Sequence, residues 1–540
     1  MEKEQKLENK SIEEVKQKKE KVKKEKIKKE KVKKEKIQKK KTPKKPKLSL
    51  FRQLHETFTP EEQEKIDRHF YDFKIHCHMA KKESELLLED VEKALLYYRH
   101  VGVSLDEALS RLNNEKLGGF YATPASLWFP LDDAAKIYPF SMQEGYMNIY
   151  RLAMNLKEDV VPELLQMALN FTIKRFPVFA TTLKKGLFWH YLDSTKRRFT
   201  VHEATSIPCS PIPISQSGAQ AFRVIYYKNR ISVEFFHILT DGTGAVAFLR
   251  ALVAEYLRLL GYEAEEDETL IDISDTPTKE EITNEFSQVE KPENSTGFAD
   301  KPALQMSGNH SSTLPCRIIH LKLNVNDVKA AAKKHNTTIT TYLLAIMFIA
   351  SKAATESMSG DVSIQVPVNM RQYYPSKTLR NFSMYAGIRI TVEEITSIND
   401  IIPEILSQIA EKTSKEAMSA MVAGTNRLVK GIRFIPMVIK TPVAKMVYGL
   451  VGERIFTTTI SNLGVVTMPK GFAEHIKDME LSLGASKTNK ALCGVVTYGD
   501  TVTLTITKNT VSPVFEEKMY SLLKREGIDP TVEGSPLYEY

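Results

Sequence analysis

The stretch Val233-Glu-Phe-Phe-His237-Ile-Leu-Thr-Asp241-Gly242-Thr-Gly244 sets an imidazole, a carboxylate and two glycines close together. An imidazole titrates near neutrality, so His237 could take and return a proton at physiological pH. Gly242 and Gly244 suit a backbone that turns sharply through positive φ. Ahead of them, residues 221–236 alternate with period two and are interrupted at Lys228-Asn229-Arg230. That pattern predicts a hairpin whose second strand ends at His237, with a helix over 245–262 behind the corner. Taken alone, the string also fits a solvated loop histidine and an ordinary turn, with Asp241 as a turn aspartate.

Further segments stand with it. Val366-Pro-Val-Asn369-Met-Arg371 follows the strand-like Val362-Ser-Ile-Gln-Val, and Asn381-Phe382 lies ten residues past Arg371. Thr457-Thr-Thr-Ile-Ser461-Asn462-Leu-Gly464 is a polar β run ending in a turn. Residues 337–350 are apolar nearly all round, which predicts a buried helix. With these elements in this order, the chain resembles the coenzyme A-dependent acyltransferase superfamily. That group includes chloramphenicol acetyltransferase, the plant BAHD acyltransferases, alcohol acetyltransferases, wax ester synthases and the condensation domains of peptide synthetases. Trp128-Phe-Pro-Leu-Asp132-Asp-Ala-Ala-Lys-Ile-Tyr138-Pro139 is similar to the entry segment of bacterial alcohol acetyltransferase-like proteins. The resemblance covers about residues 119–535. Condensation domains usually carry two adjacent histidines, whereas Phe236 precedes His237 here, which favours a free acyl thioester over a carrier-bound one.

The resemblance implies an α/β fold of the α+β sandwich type. Two chloramphenicol acetyltransferase-like half-domains with mixed sheets would enclose a tunnel between them. The implied reaction moves an acyl group from acyl-CoA, a co-substrate rather than a bound cofactor, to an alcohol or amine acceptor. His237 would be the general base, with no nucleophilic Ser or Cys and no metal. Asp241 would pair with Arg371 to fix the corner, and Gly242 would keep a side chain out of the tunnel. Asn381 would hold the loop after Arg371. Thr459, Ser461 and Asn462 are candidate donors to the oxyanion, and a purely structural Asn turn is the other reading of that segment. The alternatives are a condensation-type domain fed by carrier proteins and a catalytically idle scaffold.

Charge is distributed unevenly. Residues 1–48 hold 22 Lys and 9 Glu, a charge of +13, so the other 492 residues carry −4 of the formal +9. The folded part is mildly acidic, and the basic balance belongs to an appendage. Val22, Ile27, Val32 and Ile37 lie five residues apart. That spacing rotates each by about 140°, so they form no single helical stripe. A solvated or disordered tail fits, as does electrostatic attachment to an anionic membrane surface or RNA. No aromatic residue interleaves the lysines, which excludes specific nucleic-acid reading.

Cys77, Cys209, Cys316 and Cys493 stand far apart, the pattern of a reduced interior. The charged start lacks an apolar stretch after it, so no secretory signal is expected. These features predict a cytoplasmic protein, with the tail able to bring it to a membrane surface. Oligomeric state is not readable.

The expected organisation is a Lys/Glu-rich tail (1–48), a helical prefix (49–118), an N-terminal half-domain (119–315) with a crossover loop (263–315), and a C-terminal half-domain (316–540). Thr59-Pro60-Glu61-Glu62 reads as a helix start, and Leu87, Val91, Ala94, Leu95 and Tyr98 share one face of a second helix. Asp159 reads as the cap of a further one. The prefix would pack on the main domain or on a second subunit. His76-Cys77-His78 invites a metal reading, but no second Cys/His pair lies nearby. Residues 424–450 mix apolar residues with Arg427, Lys430, Arg433, Lys440 and Lys445 around two prolines. Ordinary core helices with snorkelling lysines are the plainer reading. Helices roofing a greasy tunnel, with cations facing coenzyme A phosphates or a lipid surface, are the other.

Overall fold

The computed structural model describes residues 55–76, 80–117, 128–142, 146–195, 197–213, 220–290, 292, 300–447, 453–536 and 538. The lysine-rich tail and Cys77-His78 lie outside them. The chain divides into residues 1–64 and 65–540. Within the first, Thr59 and Glu62 form the expected capping box: Thr59 N lies 2.8 Å from Glu62 Oε2, and Glu62 N lies 3.3 Å from Thr59 Oγ1. This opens α1 (Pro60–His76).

The prefix continues with α2 (Lys81–His100) and α3 (Leu105–Arg111). The predicted inner face of α2 is buried, and Asp90 is buried with it. Asp90 receives Arg198 at 2.5 Å and the Asn170 amide at 2.9 Å, while Tyr98 donates to the Leu259 carbonyl at 2.6 Å. These bonds tie α2 onto the N-terminal half, the first of the two packings expected.

That half holds β1 (Trp128–Pro130), α4 (Tyr138–Ser141), β2 (Ile149–Leu156), α5 (Pro162–Thr172), β3 (Thr181–Lys185), β4 (His190–Ser194), β5 (Val201–Glu203), β6 (Phe222–Tyr227), β7 (Arg230–Phe236) and α6 (Gly242–Leu260). Asp159 does not cap α5; the helix starts at Pro162, whose missing N–H and fixed φ suit the first helical position. β6 and β7 pair as predicted across a turn in which Lys228 takes φ +48°. Phe176, Phe179, Phe222, Phe235 and Phe248 form the core beneath α6, with ring centroids 5.0–6.2 Å apart.

After the crossover, where α7 (Lys279–Ile282) lies, come β8 (Arg317–Asn324), α8 (Val325–Lys334), α9 (Ile339–Thr355), β9 (Asp361–Asn369), β10 (Ser383–Thr391), α10 (Ile398–Lys412), α11 (Lys415–Gly431) and α12 (Met437–Val447). Then follow β11 (Thr458–Val466), β12 (Ile476–Leu483), β13 (Ala491–Tyr498), β14 (Thr501–Lys508), α13 (Val514–Arg525) and β15 (Thr531–Gly534). α9 is the buried helix expected: 12 of its 17 residues are buried, so no polar face is left to show water. No single described helix is long and apolar enough to cross a membrane.

Three mixed or antiparallel sheets result. β1-β4-β3 is a small antiparallel sheet. The C-terminal half forms a seven-stranded sheet in the order β10-β9-β11-β13-β14-β8-β15, with β11 parallel to both neighbours. The N-terminal sheet runs β12-β2-β7-β6-β5. Its edge strand β12 comes from the far end of the sequence and pairs antiparallel with β2, from Leu483 opposite Tyr150 to Ile476 opposite Leu156. The sheet that presents His237 is therefore completed by the C-terminal half.

Candidate active site

β7 ends at Phe236, and the next residue is held by a backbone bond from His237 N to the Asn148 carbonyl at 2.9 Å. Asp241 then caps α6: its Oδ1 accepts from Thr243 N at 3.1 Å and Gly244 N at 3.4 Å. Its Oδ2 accepts from Arg371 Nη1 at 2.8 Å and from Phe382 N at 2.7 Å. One buried carboxylate thus fixes the start of a helix in one half and a loop of the other. Arg371 uses its fork on that loop as well, donating from Nη2 to the Thr378 and Arg380 carbonyls at 2.8 Å each.

Gly242 and Gly244 do not turn through positive φ, contrary to the sequence expectation; both belong to the first turn of α6. Their requirement is steric. A Cβ on Gly242 would run into Leu463 Cδ2, and one on Gly244 would meet the Leu379 carbonyl and Thr240 Oγ1. The corner is a close approach of separate segments of the chain and not a strained turn.

Asn381 does more than hold the loop. Its Oδ1 lies 3.0 Å from His237 Nδ1, and its Nδ2 donates to Asp132 Oδ2 at 3.2 Å. Asp132 is fully buried, accepts from Ala135 N at 2.7 Å and lies 3.8 Å from Arg380 Nη2. An ionised carboxylate can only accept, so the Asn381 amide nitrogen must face Asp132 and its oxygen must face the ring. Nδ1 therefore carries the proton, and Nε2 keeps the lone pair. Among the described residues Nε2 makes no hydrogen bond. Burial pushes Asp132 up to about 6, with Arg380 pulling the other way.

The ring of His237 is partly buried. Tyr138, on α4, stacks on it at 4.7 Å and 26°, and Tyr150, on β2, tilts against it at 5.0 Å and 56°. Tyr150 also donates to the Thr240 and Asp241 carbonyls at 3.0 and 3.1 Å. Burial lowers the imidazole pKa from its ordinary value, opposed by the ring's own backbone carbonyl, by Asp241 and by Asn381. The result is a neutral base that stays neutral on the acid side of the usual histidine range.

Of the residues singled out in the sequence, His237, Asp241, Gly242, Arg371 and Asn381 come together here. Thr459 donates to Gln365 Oε1 at 3.0 Å, and Asn462 donates to Thr340 Oγ1 at 2.9 Å. Ser461 makes no side-chain hydrogen bond among the described residues, and its neighbour Leu463 is what reaches Gly242. Asp132, Tyr138, Tyr150 and Arg380 had no assigned part. Asp132 and Tyr138 stand in the entry segment already quoted, but no local pattern links them to His237. Clefts of about 210, 830 and 530 Å³ are lined by residues other than His237. Among the described residues no His/Cys/Asp/Glu group could hold a metal ion.

No family model and no curated relative matches the chain. Solved structures do. Polyketide synthase associated protein 5 from Mycobacterium tuberculosis aligns at 12% identity over 73% of this chain and 97% of that one, with a TM-score of 0.51. TRI101 of F. sporotrichioides, complexed with coenzyme A and T-2, aligns at 12% identity over 75% and 100%, with a TM-score of 0.49. TRI3 trichothecene 15-O-acetyltransferase from Fusarium sporotrichioides aligns at 11% over 74% of this chain, with a TM-score of 0.48. At such identities the likeness concerns the fold, which is the chloramphenicol acetyltransferase-like one.

Proposed function

We propose that the protein is an acyltransferase that moves an acyl group from a coenzyme A thioester to an alcohol or amine. The observation that carries this reading is the state of His237: Nδ1 is committed to Asn381, and Nε2 keeps an uncommitted lone pair at the seam of the two halves. Nε2 takes the acceptor's proton as its oxygen or nitrogen attacks the thioester carbonyl. The new C–O or C–N bond forms, and the carbonyl oxygen becomes an oxyanion. Collapse of that intermediate breaks the C–S bond, and the proton on Nε2 passes to the departing thiolate, giving free coenzyme A. Asp241 and Arg371 keep the corner in place, and the Asp132–Asn381 pair keeps the ring in one tautomer. Ser461 is the proposed oxyanion donor, since Thr459 and Asn462 already donate elsewhere.

Halves of residues 119–315 and 316–540 build the site on this reading, with substrates reaching His237 through a passage between them. The test is thiol release from acyl-CoAs of graded chain length, offered pooled alcohols and amines. Wild-type protein should release thiol only when acceptor is present, and His237→Ala should abolish release with an unchanged melting curve. Equal release by the variant would end the assignment.

A further inference from the structure

Among the described residues, 19 large hydrophobic side chains are exposed, and 8 of them fall in just two short segments. One segment is the β3–β4 turn, with Leu187 69% and Phe188 36% exposed. The other runs from the end of α11 into α12, where Phe434 is 71%, Val438 77% and Ile439 61% exposed. The plainer sequence reading of 424–450 as core helices holds for Val429 and Met437, which are buried, and is corrected for Leu428, Phe434, Ile435, Val438, Ile439 and Val443, which face outward.

The two segments form one surface. The Phe188 and Phe434 rings lie 6.3 Å apart, edge to face, and Met437 N donates to the Leu187 carbonyl at 2.8 Å. Lys440 donates to the Phe188 carbonyl at 2.8 Å and sits 3.4 Å over the Trp189 ring. On α12 the exposed Val438 and Ile439 are adjacent and Val443 lies four residues past Ile439, so the three fall within an arc of about 140°. Cations predominate around them. No Asp or Glu occurs between Glu416 and Glu453, whereas that interval holds the exposed Arg427, Lys430 and Arg433, with Lys440 buried against Trp189. Lys184 and Lys185 flank the turn. Protruding apolar residues ringed by cations match a bilayer interface with anionic headgroups, where the apolar tips enter the acyl boundary and the cations meet phosphate.

We propose that this face docks the folded protein on an anionic lipid membrane. It lies over α4: Phe140 packs edge to face on Trp189 at 6.2 Å, and Tyr138 of the same short helix stacks on His237. Trp189, Phe140 and Tyr138 thus link the face to the imidazole. Docking itself stands apart from the chemistry proposed for His237.

The experiment is vesicle sedimentation of the full chain with phosphatidylcholine alone and with roughly one-third phosphatidylserine. It is run at low salt and at about 0.5 M salt, which screens attraction through the lysine-rich tail. Wild-type protein should stay bound to the mixed vesicles at high salt, and the double variant Val438→Asp, Ile439→Asp should lose at least about tenfold of that partitioning. Equal binding by the variant overturns the proposal, as does release of the wild type at high salt. So does light scattering that shows a wild-type dimer broken by the variant, because the face would then join two copies. If the variant does not fold, the wild type decides: brominated acyl chains should quench its tryptophan fluorescence, and unquenched fluorescence of bound protein overturns docking through this face.

Discussion

His237 and His320 are both placed by strands at the junction of the two halves, and burial lowers both from the ordinary imidazole value. They differ in what is left over. His320 sits in mid-β8, with Nδ1 2.9 Å from Thr505 Oγ1 and Nε2 3.6 Å from Glu480 Oε2. Glu480 also receives Asn155 at 2.7 Å and Arg230 at 3.5 Å, within a polar network that joins β12 to both sheets. Nδ1 of that ring is bonded to a hydroxyl and Nε2 faces a carboxylate, an edge that favours a proton over a free lone pair. His237 stands just past a strand end, opposite a loop, and only Nδ1 is spent. A depressed pKa therefore does not mark a reactive histidine by itself; a retained lone pair does.

This contrast can be broken first at His237. His237→Ala should lower turnover by about 10²–10⁴-fold while leaving thermal unfolding unchanged. Next, Asp241→Ala strips the half-buried Arg371 of its buried carboxylate partner and should cost about 3–5 kcal/mol in urea unfolding. Asn381→Ala should reduce kcat by about 10²-fold by letting the ring rotate and its tautomers mix. Asn381→Asp sharpens the point: an anion beside Nδ1 favours the imidazolium, so the acid limb of kcat/KM should move to higher pH.

His320→Leu should behave oppositely, losing about 1–3 kcal/mol of stability with kcat of the folded protein retained. A rate effect there as large as that of His237→Ala would erase the distinction. The smallest effect concerns pH. A protonated Asp132 could also donate and let the Asn381 amide reverse, so kcat/KM should fall as pH drops through about 6. Asp132→Asn should remove that step and leave the acid limb to His237 alone.

Much of the fold was legible because its signals are local. α9 shows itself by being apolar all round, the β6–β7 hairpin by Lys228-Asn229-Arg230, and α1 by Thr59, whose Oγ1 accepts from Glu62 N at 3.3 Å. The site was legible in part. The Asp241–Arg371 pair that the resemblance implies forms at 2.8 Å. The glycine argument went astray because φ is fixed by the helix that starts at Gly242, while the demand for a bare Cα comes from Leu463 on another strand. The outward face of α12 could not be read either. An apolar helical stripe looks the same in sequence whether it faces a core or the outside.

The sequence by itself determined periods, caps and turns, and it delivered a histidine and an aspartate to one corner, since each such signal is settled among residues a few positions apart. Only the tertiary structure decided which nitrogen of that histidine is free. Its partner Asn381 lies 144 positions away, and Asp132 a further 249 from Asn381. Contacts at that range depend on how the strands pair and the loops close, and no local pattern encodes them.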